Sequence, residues 1–193
     1  MLSAALIVSV VDAPYPQQML MQHIPTLAAL LAWPAIQNRV KFSDCAASGL
    51  ALFLLLHILG ARYIYSYVPY DDWARLLTGR TLTDIFSFQR NHYDRLVHFA
   101  FGLLFTRPAF EILTHRFGLS RALARYVSTE CILAASALYE LFEWSLTLVL
   151  GGQDVEAYNG QQGDLWDAHK DMALALLGSL CTLPFLRRGT ATA

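Results

Sequence analysis

An all-α bundle of about six membrane-crossing helices is the fold class this sequence predicts, and three observations predict it. The 193 residues are 55% hydrophobic and only 15% charged, with a mean hydropathy of +0.39, a balance outside the range of ordinary soluble domains. The apolar residues collect into stretches long enough, at about 1.5 Å per residue, to match a hydrocarbon core of about 30 Å. Ionisable side chains inside those stretches recur at helical spacing, the pattern of residues facing a bundle interior rather than lipid. The length suits one domain over residues 1–193, with spans expected near 1–12, 19–37, 44–61, 93–114, 122–150 and 165–186. A net charge of −1 without a basic stripe excludes nucleic acid as a partner and leaves the lipid bilayer. Cys45, Cys131 and Cys181 are isolated in apolar stretches, which supports neither a disulfide framework nor a cysteine zinc site.

The first apolar stretch, ending at Val11, reaches only about 16 Å and reads as a helix whose start is truncated or misassigned. It lacks the basic head and small-residue cleavage site of a signal peptide. Asp12-Ala-Pro-Tyr-Pro turns the chain into a second span that holds His23, Pro25 and Pro34. The third span, 44–61, carries His57 as its one strongly polar side chain. The long connection 62–92 is rich in Tyr63, Tyr65, Tyr67, Tyr70 and Trp73, rings suited to a membrane interface, and predicts short surface helices near 72–78 and 82–88.

The fourth span opens on NHYDRLVHFAFG, which puts Asp94 and His98 one turn apart on one face. Arg107 and Glu111 near its other end read as a snorkelling ion pair. The fifth, longer than a bilayer needs, carries Ser136, Glu140, Glu143 and Thr147 as a polar stripe. Two carboxylates one turn apart in an apolar setting need a cation to ionise together. The sixth opens on GQQGDLWDAHKD: Asp164 and Asp171 lie within about 20° of one another around a helix and Asp167 about 60° away. Like charges so placed destabilise a helix unless a cation lies between them. Asp164 as an N-cap and Asp167 as a first-turn acid explain part of that; divalent-cation coordination or a shared proton explains the rest.

Basic residues gather in 38–41, 115–125 and 187–188, whereas 151–163 has none, so the positive-inside rule puts both termini in the cytoplasm. In that topology His57, Asp94, His98, Asp167 and Asp171 converge near the outer face as candidate metal ligands. Glu140, Glu143, Asp164 and Asp167 are the candidate catalytic acids, and Arg62 and Arg95 the candidate anion-binding groups.

The motifs HILGARYIYSYVPYDDW, RNHYDRLVHFAFGLL, LYELFEW and GQQGDLWDAHKDMALALLG, spread over residues 50–180, resemble those of the bacterial inner-membrane protein family of unknown function 2238. The resemblance implies a multi-pass protein of the inner membrane, without an established activity. Many members carry His where Arg62 stands and have a longer first helix; if Arg62 replaces a ligand, a metal site is weakened or Arg62 becomes an anion clamp. Two classes of function follow. One is a metal-dependent hydrolase or transferase acting on lipid-type substrates, in which a divalent ion activates water and a spare carboxylate serves as base. The other is a non-enzymatic membrane protein, either a structural or partner-binding network or a proton or cation pathway. No HExxH or Gly-x-Ser-x-Gly signature narrows the reaction.

Overall fold

The chain's helices begin and end where local chemistry dictates. The computed structural model describes residues 1–150 and 160–187. Helix α1 (Leu2–Val10) is nine residues long, too short to cross a bilayer. Pro16 occupies the first turn of α2 (Pro16–Val40), where its missing N–H leaves no hydrogen bond unmade, and the helix runs on through Pro25 and Pro34 before Lys41 ends it in a left-handed conformation. Ser43 then caps α3 (Asp44–Arg62), its hydroxyl accepting from the Ala46 amide at 3.2 Å.

The connection after α3 folds into two short helices, α4 (Tyr70–Thr78) and α5 (Leu82–Phe86). Asp71 joins them: its carboxylate accepts from the Thr83 amide at 3.0 Å and from the Thr83 hydroxyl at 2.5 Å. Leu76 and Leu77 on α4 are each 85% exposed, as suits a helix lying on a membrane surface. Then come α6 (Tyr93–His115), α7 (Arg121–Leu150) and α8 (Asp167–Thr182), the last continued by a 3-10 turn, Leu183–Arg187.

The architecture is an all-α polytopic membrane bundle. Among the described residues four helices are long and apolar enough to cross a membrane, α2, α3, α6 and α7, rather than the six expected. Helix α8, at sixteen residues, spans about 24 Å and falls short on its own. It is nevertheless central, because it packs most extensively against α6, which also contacts α3 and α7. Two glycines make that contact close. A methyl group on Gly102 would run into the main chain of Ala175, and one on Gly178 into the main chain of Phe99. Small residues let membrane helices approach in this way, so that packing and hydroxyl contacts hold them. Here Thr106 of α6 lies 2.8 Å from the Ser179 hydroxyl of α8, which reaches Thr129 of α7 at 3.2 Å.

At the opposite end of α6 from its amino terminus, Glu111 is buried rather than snorkelling. Its carboxylate accepts from the Ser43 amide at 2.9 Å and the Ser43 hydroxyl at 2.6 Å, pinning the start of α3, while Arg107 stands 3.9 Å away. Nearer the amino terminus of α6, Tyr65, Val68, Tyr93 and Val97 form an apolar cluster with Phe53, Leu56 and Leu59 of α3.

Candidate metal centre

Helix α6 begins with Tyr93 and α8 with Asp167, and the close glycine contact sets these two amino-terminal ends side by side. The acids and cations at those ends sort into two layers.

The first layer neutralises itself. Arg90, ahead of α6, donates to the carbonyls of Gly160 at 2.6 Å and Gln161 at 2.9 Å and is ion-paired with Asp167. Arg95 is paired with Asp164 and stands 3.6 Å from Asp167. Lys170 adds a third cation, 2.6 Å from Asp164. Two carboxylates therefore share three cations. The hydrogen bond from Lys170, followed by that from the Trp166 amide and by Arg95, holds the Asp164 carboxyl well below the usual carboxylate range. Asn91 and Gln162 close the layer, the Asn91 amide donating to the Gln162 side chain at 2.9 Å and that side chain donating back to the Asn91 carbonyl at 3.1 Å. Gly160 turns here with φ +71°, close to the Asp94 carboxylate.

The second layer adjoins it, with His98 and Asp171 each one helical turn on from Asp94 and Asp167. Asp94 and His98 of α6 and Asp171 of α8 each offer one ligand atom, and these atoms all lie within 4.8 Å of one another. His98 Nε2 is 3.7 Å from Asp94 and 3.6 Å from Glu140 of α7. Asp171 is 1% exposed, yet its Oδ1 has no hydrogen-bond partner, and Glu140 Oε1 is likewise buried without one. A carboxylate oxygen left in that condition costs several kcal/mol unless it meets a proton or a cation. Two carboxylates and an imidazole in one small space suit a divalent ion, with oxygen donors for a hard cation and the His admitting zinc or manganese.

The sequence-predicted residues divide accordingly. Asp94, His98 and Asp171 come together, with Glu140 beside them. Asp167 and Asp164 belong to the ion-paired layer, as does Arg95. His57 is in neither layer: its Nε2 donates to the Gln22 carbonyl of α2 at 2.9 Å and its Nδ1 meets the hydroxyl of Tyr65, just after α3, so both ring nitrogens are engaged. Arg62 is not in them either. Its guanidinium donates to the carbonyls of Ser9 at 2.7 Å and Val11 at 2.8 Å, closing the carboxyl-terminal end of α1. The centre itself is buried inside the bundle instead of standing at an outer face, with His98 at 8% exposure. Sequence reasoning missed Arg90. The available signal was the surplus of acids in 164–171 over the single Lys170, which requires cations from elsewhere.

A family model described as "Predicted membrane protein (DUF2238)" matches residues 1–190. The chain is 32% identical over 170 residues to the Escherichia coli (strain K12) protein named "Inner membrane protein YjdF", an alignment that covers 88% of this chain and 77% of the other. No solved structure matches.

Proposed function

From a chain that belongs to the DUF2238 family of membrane proteins, multi-pass in the bacterial inner membrane, and from the geometry above, we infer a divalent-cation centre that serves hydrolysis or group transfer on a lipid-type substrate. Asp94, His98 and Asp171 hold the ion. One observation carries this reading: the Asp171 oxygen that is buried and unpartnered within reach of two further ligand atoms. A divalent ion held by these three side chains would supply Lewis-acid chemistry, making water easier to deprotonate and an ester easier to attack. Glu140, 3.6 Å from His98, would serve as the base that takes a proton from water and passes it to the leaving group. Glu143 follows one turn on. Arg90, Arg95 and Lys170 hold Asp164 and Asp167, and so fix the start of α8 and the position of Asp171.

In the same reading residues 1–193 form one domain of six membrane-embedded helices, α1 and α8, each short by itself, crossing together with the residues that flank them. The connections 62–92 and 151–163 lie outside and both termini in the cytoplasm; most of 151–163 falls outside the described residues. The acid-free charge balance of 38–41 supports this orientation.

Protein purified in detergent without chelators should hold about one divalent ion per chain by elemental analysis. Asp171→Asn and His98→Ala should lose it, while Asp72→Asn on the exposed α4 should keep it. Absence of stoichiometric metal from the unaltered protein would sink the centre. A second reading is favoured by the close α6–α8 packing: the ion is a clamp between those helices, with no reaction. Metal-loaded protein that releases no product from a bacterial lipid extract, yet melts lower when stripped, would support the clamp.

A further inference from the structure

A cavity of about 400 Å³ opens between α7 and α8, beside the centre but distinct from the ligand triad. Its walls are of two kinds. Glu140, Glu143, Gln161, His169 and Asp167, the last already paired with Arg90, supply its polar lining, and Leu141, Trp144 and Met172 its apolar lining. Leu141 and Trp144 are 54% and 59% exposed on a helix long and apolar enough to cross a membrane, so the opening is lateral, toward lipid. An occupant entering that way is an amphiphile, its head among carboxylates and its chain along the apolar wall.

The charge of the head follows from the lining. The cations near this end of the bundle, Arg90, Arg95 and Lys170, are paired with Asp164 and Asp167. Glu140 keeps an oxygen without a hydrogen-bond partner, on a side chain that is 10% exposed and lines the cavity. An anionic head would meet two carboxylates here. A cationic one meets them together with the face of Trp144, and carboxylate with indole is the combination that recognises ammonium groups. We propose that the cavity between α7 and α8 is a lateral binding site for a lipid with an ammonium head group, seated against Glu143, Glu140 and Trp144. This deepens the lipid-type reading above and rests on it for the reaction that follows binding, not for the binding itself.

The test uses the full chain in nanodiscs containing equal amounts of phosphatidylethanolamine and phosphatidylglycerol, probes that share chains and phosphodiester and differ in the ammonium. Native mass spectrometry reads the lipid that remains bound after release from the disc, and elemental analysis reads metal in the same sample. The expected result is enrichment of phosphatidylethanolamine by about fivefold, reduced to near parity by Glu143→Gln and by Trp144→Leu. Ala137→Phe, which fills the cavity, should abolish lipid retention while metal content stays unchanged. Equal retention of the two lipids, or retention of phosphatidylethanolamine that survives Ala137→Phe, overturns the proposal. So does one-for-one displacement of the lipid by added manganese, which would make the cavity a second cation site. Loss of metal with lipid preference intact would instead overturn the cation centre and leave this site standing.

Discussion

At the scale of single residues, what decides a side chain's role here is whether its charge is answered. Asp71 and Asp171 are both acids near a helix start, with opposite circumstances. Burial alone would raise the Asp71 carboxyl, but the hydrogen bonds from the Thr83 side chain and amide and from the Leu82 amide outweigh it, so that its folded value lies below the ordinary one. A carboxylate depressed in this way adds stability that is fully present above about pH 4, the unfolded range, and is lost as the pH falls through the lower folded value. The Thr83 amide should therefore be less protected below pH 4 than at pH 6, as read by hydrogen-exchange protection factors, which remove the intrinsic pH dependence of exchange. Asp71→Asn should abolish that difference in protection; a protection factor constant across the range would show that Asp71 does not hold α5. For Asp171 no such donor exists at Oδ1 among the described residues, and this difference separates a structural acid from a candidate ligand. Sequence spacing alone did not separate them. It put Asp94 beside His98 and Asp171 in line with Asp164, but could not tell that Asp164 and Asp167 are answered by Arg90 and Arg95, because those contacts form only when α6 and α8 meet. The same blindness applies to Arg62, which meets main-chain carbonyls at the end of α1, and to His57, which meets the Gln22 carbonyl of α2 and the Tyr65 hydroxyl.

Among the elements, the contact between α6 and α8 carries the most consequence. Gly102 and Gly79 are a useful contrast, since both are glycines for different reasons. Gly79 adopts φ +77° at the end of α4 with nothing within 4 Å of a added methyl group, so Gly79→Ala should cost only the left-handed strain, about 1 kcal/mol. Gly102 is helical and faces the main chain of Ala175, where no flexible side chain can give way. Gly102→Ala should cost about 3 kcal/mol or more by forcing the helices apart, and should lower metal content as Asp171 is drawn away from Asp94 and His98. Thermal melting in detergent compares the two; equal losses would mean that the close approach is not what holds α8. Hydropathy was sufficient to find α2, α3, α6 and α7, because length and apolar content are local properties. It was not sufficient to say that α8, sixteen residues with a charged first turn, packs at the heart of the bundle, since that depends on a glycine on another helix.

For the whole molecule, the topology and the chemistry are linked through which end of the bundle holds the polar layers. A cysteine at Thr78, on the α4 connection, should react with an impermeant maleimide in intact spheroplasts, and one at Arg116 only after permeabilisation. The reverse pattern would invert the orientation and turn the cavity between α7 and α8 toward the inner leaflet. The division of the centre between α6 and α8 also has a consequence in time. Asp94 and His98 leave the ribosome before α7 and α8 are made, so α6 enters the bilayer with an acid and an imidazole whose partners do not yet exist. An Asp in mid-membrane costs an isolated helix about 3 kcal/mol; Asp94, in the first turn of α6, costs less than that, but the cost stands until its counterpart is translated. Helix α8 then supplies the other half of the centre and the glycine seam together, so that in biogenesis the arrival of one late helix both secures an early one and creates the place where an ion can first be loaded.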